Sequence, residues 1–248
     1  MNKHRMTTFG KTLVAVAVAL VLGLLAGILR PDIFGFGRQT AAATPSATVE
    51  SSASAEPTSN ADQEDYDSRK AVNPEYVGEL VFDSGLVDQN VVQASDNEKY
   101  LNLAWDLTSS THGAAFLDYR NSLSDQNLII YGHFVYADET LMFSPLHDLK
   151  DSANYKTDQY LDLKMGSETR RYEVTDVYYY TMGDESMMYY LTNYDSQYFD
   201  TYYKTVKAND FYDTGESLTM DDHWVSLQTC VRDRDDLRLI VLAKQIDN

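Results

Sequence analysis

The chain has a single cysteine, Cys230, so whatever the thiol does, it does not close an internal disulfide. Residues 223–230, His-Trp-Val-Ser-Leu-Gln-Thr-Cys, read as a strand that ends on this cysteine. A polar turn over 231–236 follows, and then a second strand over 237–244 with Arg238 near its start. Antiparallel pairing would set Arg238 beside Cys230. A neighbouring cation favours a thiolate and can hold a developing oxyanion. The bland alternative is a buried thiol that packs as a small hydrophobe.

A cysteine nucleophile needs a proton acceptor, most often histidine. Five histidines are available. His4 precedes the apolar N-terminal run, and His112 falls in a polar loop. His147 lies on a short helical segment, as a surface residue or a cap. His223 is on the same strand as Cys230 and about 23 Å from it if that strand is straight. His133 ends the apolar stretch Leu128-Ile129-Ile130-Tyr131-Gly132, where a strand opens into a loop and can present a side chain.

Other chemistries have less support. Cys230 has no histidine at a zinc-like spacing, nothing matches an EF-hand and no phosphate-cradling glycine loop appears, so neither metal nor cofactor is expected. Asp233, Asp235 and Asp236 read as a solvated turn. Ser110-Thr111-His112-Gly113 is superficially similar to the Ser-His-Gly-Cys box of L,D-transpeptidases, but Ala114 stands where the cysteine would be.

The elements that must position these residues read as mainly β. Strand-like runs fall at 77–82, 91–93, 114–119, 128–133, 160–164, 171–180, 223–230 and 237–244, with polar or glycine-containing stretches between them. That spacing suggests a closed or nearly closed barrel. Nineteen tyrosines and nine phenylalanines agree with it. Two segments read as helical. One is 141–150, with Met142, Leu146 and Leu149 on one side. The other is 184–206, with Asp184 as N-cap and Met188, Leu191, Tyr194 and Tyr198 as a buried stripe.

The 248 residues carry a formal charge of −18. Residues 1–40 are net +4, which leaves about −22 on the remainder. Such a surface repels phosphate backbones, so nucleic acid is not an expected partner. Residues 13–29, LVAVAVALVLGLLAGIL, are free of charge and span roughly 26 Å as a helix, close to a hydrocarbon core. Lys3, Arg5 and Lys11 before them put the N-terminus inside and the bulk outside. A signal peptide cleaved near Ala41-Ala42-Ala43 competes, but that site lies far past the apolar run. A buried core helix fits poorly, because the run has no polar face. Residues 40–62 are mostly Ala, Ser, Thr and Pro and read as a solvated tether. The expected organisation is a cytoplasmic N-terminus over 1–12, a transmembrane signal-anchor over 13–30, a flexible linker over 31–70 and a catalytic domain over 71–248. The expected location is the cell membrane, single-pass, with the catalytic domain extracellular.

Four stretches in order resemble the class B sortases, cysteine transpeptidases of Gram-positive bacteria. They are Val91-Val92-Gln93 with Asp96-Asn97 and Tyr100-Leu101-Asn102; residues 112–121, HGAAFLDYRN; Asn127 to His133 with Met142-Phe143 and Leu146; and Ser226-Leu227-Gln228-Thr229-Cys230 with Arg238 eight residues on. The resemblance covers roughly residues 72–246. It implies an eight-stranded sortase-type β-barrel with N-terminal helical elements and a helix between the sixth and seventh strands. It also implies that Cys230 attacks the Thr carbonyl of a sorting motif, typically N-P-x-T-x, on a secreted surface protein. An amine of a cell-wall peptide precursor or of a pilin lysine would then resolve the thioacyl-enzyme. By the same resemblance His133 is the general acid and base, Arg238 positions substrate and steadies the oxyanion, and Asn97, Leu101, Tyr131 and Gln228 line the motif groove. Gln228 replaces a common Ser, Ser226 replaces the first Thr of its box, and Phe134 replaces the Asn that often follows the His. Two other readings use the same residues: a cysteine hydrolase, and a non-catalytic membrane-tethered binding protein on a sortase-like barrel.

Overall fold

The computed structural model describes residues 60–186 and 188–246. Eight strands form in chain order: β1 (Tyr76–Phe82), β2 (Asp88–Val92), β3 (Ala115–Leu117), β4 (Asn127–Tyr131), β5 (Tyr160–Met165), β6 (Glu168–Thr181), β7 (Trp224–Val231) and β8 (Arg234–Ile246). They close into a barrel in the order β1-β2-β3-β4-β7-β8-β6-β5. The pairs β2–β3 and β4–β7 are parallel and the others antiparallel. Each of the eight runs read from the sequence overlaps one of these strands.

Alternation along the strands sorts side chains between two cores. The barrel interior takes Leu80, Val91, Leu128, Leu163, Val225, Leu227, Leu239 and Val241, all buried. The opposite face of β4, β7 and β8 presents Ile129, Trp224, Ile240 and Leu242 to a second cluster, closed by helix α3 (Ser196–Asn209) through Phe199, Tyr202 and Val206. A register shift between Val174 and Asp176 in β6 swaps the faces, so that Val174 and Val177 both point inward while Tyr178 and Tyr180 meet α3. On β7 the even-numbered residues run from Trp224, beneath α3, through Ser226 and Gln228 to Cys230. The thiol therefore belongs to the outer face of the sheet and not to the barrel lumen.

Three helical expectations need correction. The segment read as one helix over 184–206 is turn as far as its described residues reach Asp195, and α3 starts at Ser196 with Asp195 as its N-cap, accepting from the Tyr198 backbone N–H. Asp184 caps only a local turn through Ser186. Tyr198, placed in the buried stripe, is 51% exposed; Phe199, Tyr202 and Val206 form the stripe. The shorter expected helix is a 3-10 turn over Ser144–Lys150, with Leu146 and Leu149 buried and Met142 outside it at φ 54°. Helix α1 (Asn60–Val72) occupies part of the stretch read as linker, so ordered structure begins before Ala71. It has no buried residue and is held to the barrel by Arg69, which pairs with Glu79, and by Tyr66, whose ring packs on Tyr76. A four-residue helix α2 (Ser152–Tyr155) follows the 3-10 turn. The expected membrane anchor and most of the tether lie outside the described residues. Among those described, no helix is long and apolar enough to cross a membrane.

Candidate active site

Cys230 is the penultimate residue of β7, and its Cα partner on β8 is Arg238. The next rung of this ladder is Val231↔Arg234, so residues 235–237 of β8 have no register partner on β7, opposite one of its peptide bonds. Bulges of this kind re-aim side chains beside sites. Here the carbonyls of Asp235 and Leu237 accept from Arg238 Nη1 at 3.0 and 2.7 Å, and that of Asp236 accepts from the Met182 N–H at 2.8 Å. The bulge therefore holds the guanidinium at the strand end by its own backbone. No carboxylate among the described residues forms an ion pair with it.

His133 lies two residues past the end of β4, which pairs with β7 through Tyr131↔Gln228. Its Nε2 is 3.0 Å from the carbonyl oxygen of Leu101, at the end of the 3-10 turn Lys99–Leu101. A neutral imidazole donating through Nε2 keeps its lone pair on Nδ1. Two glycines make this packing possible. Gly132 has the ring of Phe143 where a Cβ would stand, at 2.4 Å. Gly113, at φ +62°, lies against the Tyr100 carbonyl and the His133 ring, where a Cβ would come within 2.4 and 3.0 Å.

A cleft of about 350 Å³ opens on this face, and all seven residues singled out in the sequence line it: Cys230, His133, Arg238, Asn97, Leu101, Tyr131 and Gln228. Phe116, Gly132, Met182 and Tyr189 complete the lining. The Tyr189 hydroxyl donates to Gln228 Oε1, so the segment before α3 forms the wall beside β7. The other wall rests on Asp118, whose side chain is 0% exposed. It accepts from Arg120 Nε and Nη2 at 2.8 Å each, from the Tyr131 hydroxyl at 2.7 Å and from Asn97 Nδ2 at 3.0 Å. Burial alone would raise the Asp118 pKa. The hydrogen bonds, led by Arg120, outweigh it and hold the carboxyl down to about 2. Burial, with Tyr189 and Asp118 nearby, pushes the Tyr131 phenol up, so it stays a neutral donor. Asp118 and Tyr189 were not singled out in the sequence. The signal for Asp118 was a lone acid in the apolar run AAFLDY. Tyr189 gave none, being one tyrosine among nineteen. Among the described residues, no group of three or more His, Cys, Asp and Glu side chains could hold a metal ion.

Comparison with known proteins bears on this arrangement. No family model matches the chain. It is 26% identical over 186 residues to sortase B of Staphylococcus aureus, covering 73% of this chain and 74% of that one. It is 27% identical over 168 residues, 66% of each chain, to sortase B of Listeria monocytogenes. The crystal structure of a cysteine-to-serine mutant of Clostridium perfringens sortase B superposes with a TM-score of 0.68 at 27% identity, over 75% of this chain and 88% of that one. These matches support a class B sortase. A Staphylococcus aureus sortase B–substrate complex superposes with a TM-score of 0.67 at 24% identity, over 75% of this chain and 86% of that one, and bears on the fold alone. The closed eight-stranded barrel with α3 between β6 and β7 is the architecture of the matched sortase B structures. The activity that follows at this level is cysteine transpeptidation.

Proposed function

We propose that this sortase is a membrane-anchored transpeptidase that cuts a secreted surface protein after the Thr of an N-P-x-T-x-like sorting motif and joins the acyl group to an amine. The Cys230↔Arg238 register, with His133 on the same cleft, is the observation that carries the reading. Cys230 Sγ attacks the Thr carbonyl as a thiolate, and its electron pair forms the C–S bond. Arg238 donates to the oxyanion, and its carbonyl tethers keep it aimed there in advance. The C–N bond then breaks, and the leaving amine takes a proton from His133. An amine of a cell-wall peptide or a pilin gives its proton to the neutral His133 and attacks the thioester, and the thiolate leaves. Asn97, Leu101, Tyr131 and Gln228 line the groove for the motif. The Gln228–Tyr189 bond leaves the Gln228 amide N–H groups available to a polar substrate group. The anchor over 13–30 would keep this cleft at the outer membrane face, where secreted substrates emerge.

The test is intact-mass analysis of the protein with N-P-x-T-x and L-P-x-T-x peptides, with and without a nucleophilic amine. The expected result is a Cys230 adduct equal to the peptide cut after Thr, replaced by a ligated product when amine is present, and neither in Cys230→Ala. Adducts that only hydrolyse, whichever amine is supplied, would move the reading to a cysteine hydrolase. No adduct with any peptide would move it to a binding protein.

A further inference from the structure

One histidine has no part in this chemistry, yet it touches the nucleophile's backbone. His147, in the 3-10 turn Ser144–Lys150, is half-buried, and its Nε2 lies 2.9 Å from the carbonyl oxygen of Cys230. A carbonyl only accepts, so Nε2 carries the hydrogen. This carbonyl belongs to the Cys230–Val231 peptide, the one at which the β7–β8 ladder slips. His147 thus supplies a fixed donor at the point where the regular ladder breaks off.

The same ring reaches the other half of the site. Its edge packs against Phe134 with centroids 5.0 Å apart and planes at 69°. Phe134 follows His133 directly and is buried. On Phe134 lies the guanidinium of Arg232, 5.3 Å from the ring centroid, which also covers Tyr136, donates to the Tyr136 carbonyl at 3.1 Å and pairs with Glu139. Arg232 is two residues beyond the cysteine. The stack His147–Phe134–Arg232 therefore joins the segment carrying His133 to the turn leaving Cys230. Those two segments come from strands whose last common rung is Tyr131↔Gln228.

Burial lowers the His147 pKa, and the Cys230 carbonyl only partly offsets this. Lys150 opposes the charged form, while Glu139 and Asp148 favour it more weakly. The ring is then neutral near pH 7 and adds no charge beside the thiol.

We propose that His147 is a positioning residue of the transpeptidase: by bonding the Cys230 carbonyl and packing on Phe134, it sets the thiol and the His133 imidazole relative to each other. The proposal rests on the catalytic reading above, but one arm of its test does not. In that arm, Cys230 of the full chain is alkylated with iodoacetamide across a pH series; with one cysteine in the chain the readout is unambiguous and needs no sorting peptide. The variants are His147→Phe, which keeps a ring against Phe134 but loses the donor, and His147→Gln, whose amide N–H stands near the place of Nε2. The expected result is that the pH profile of alkylation shifts in His147→Phe and returns towards wild type in His147→Gln. In the peptide arm, the rate of thioester formation under saturation falls about 10- to 100-fold in His147→Phe with KM little changed, the size expected of sub-ångström misplacement of reacting groups. A His147→Phe profile and rate equal to wild type would overturn the proposal. So would equal losses in both variants that track their melting temperatures, since that is a packing effect. If the wild type forms no thioester while the alkylation profile still separates the variants, the catalytic reading fails and the positioning role stands.

Discussion

At the residue scale, Asp118 is the buried charge on which one wall of the cleft rests. A buried carboxylate left alone would be neutral, but five donated hydrogen bonds, one of them from the Arg120 backbone N–H, keep this one charged. Two of the donors, Asn97 and Tyr131, line the cleft. Asp118→Asn keeps the volume and removes the charge. The Arg120 side chain is 40% exposed, so water takes over part of its pairing and the loss is smaller than for a fully enclosed ion pair. The expected cost is about 2 kcal/mol in urea unfolding, with KM for a sorting peptide rising more than kcat falls. The sign with pH follows from the depressed pKa. The Asp118 contribution is complete above the ordinary carboxylate range and is lost as pH falls towards about 2. The variant should lack that part of the acid limb. Equal acid limbs in both proteins would show that Asp118 is not held ionised.

Among the elements, α3 and the chain leading into it separate what the sequence discloses from what it hides. The strands were legible because their runs are β-branched and aromatic and polar turns bound them. The Cys230↔Arg238 register was legible for the same reason: a strand ending on Cys230 and a short turn before Arg238 leave few ways to pair. The start of α3 was not legible. Met188, Leu191 and Tyr194 fall at helical spacing, yet this segment is spent on walling the cleft and covering Trp224. The deciding signal was Asp195 four residues before Phe199, an N-cap followed by the stripe Phe199, Tyr202 and Val206. Helix α1 was implied by the resemblance, as an N-terminal helical element, but its bounds were not legible in the residues, because it buries no side chain fully and is held by Arg69 on Glu79 and Tyr66 on Tyr76. The role of His147 is invisible in the same way, since its partners come from β7 and the loop after β4. Phe199 stacks on Tyr203 and tilts against Trp224, so it seats α3 on the outer face of the sheet. Phe199→Ala should cost about 3 kcal/mol in denaturant unfolding. It should also loosen the Tyr189 wall, seen as faster amide exchange over residues 188–195. Unchanged exchange there would mean that α3 does not support that wall.

For the molecule as a whole, the balance of charge with pH turns on a pair of acids, Asp176 and Asp210, where α3 ends on the β6 bulge. Asp176 is fully buried, and Lys207 reaches it at 3.0 Å and Asp210 at 3.3 Å. Asp210 also accepts from the Val177 N–H at 2.8 Å. Burial first, and the charge of Asp176 second, push the Asp210 pKa up to about 7 despite Lys207. A folded-state pKa raised above that of the unfolded chain means that the folded state binds the proton more tightly. The stability it brings is complete below the ordinary carboxylate range and is lost as pH rises through about 7. The net charge of −18 acts in the same direction, because acidification relieves its self-repulsion. Asp118 acts in the opposite direction, but only at lower pH. The melting temperature should therefore rise as pH is lowered from 8 to about 5 and fall steeply below about 4. Asp210→Asn carries a permanent neutral group at the bulge and should flatten the part of the slope between about 5 and 8 that salt does not remove. Salt screens the general repulsion and leaves a buried pair largely untouched, so calorimetry at low and high ionic strength separates the two terms. A slope that vanishes in salt for the wild type would assign it to surface charge alone and clear Asp210 of any part in it.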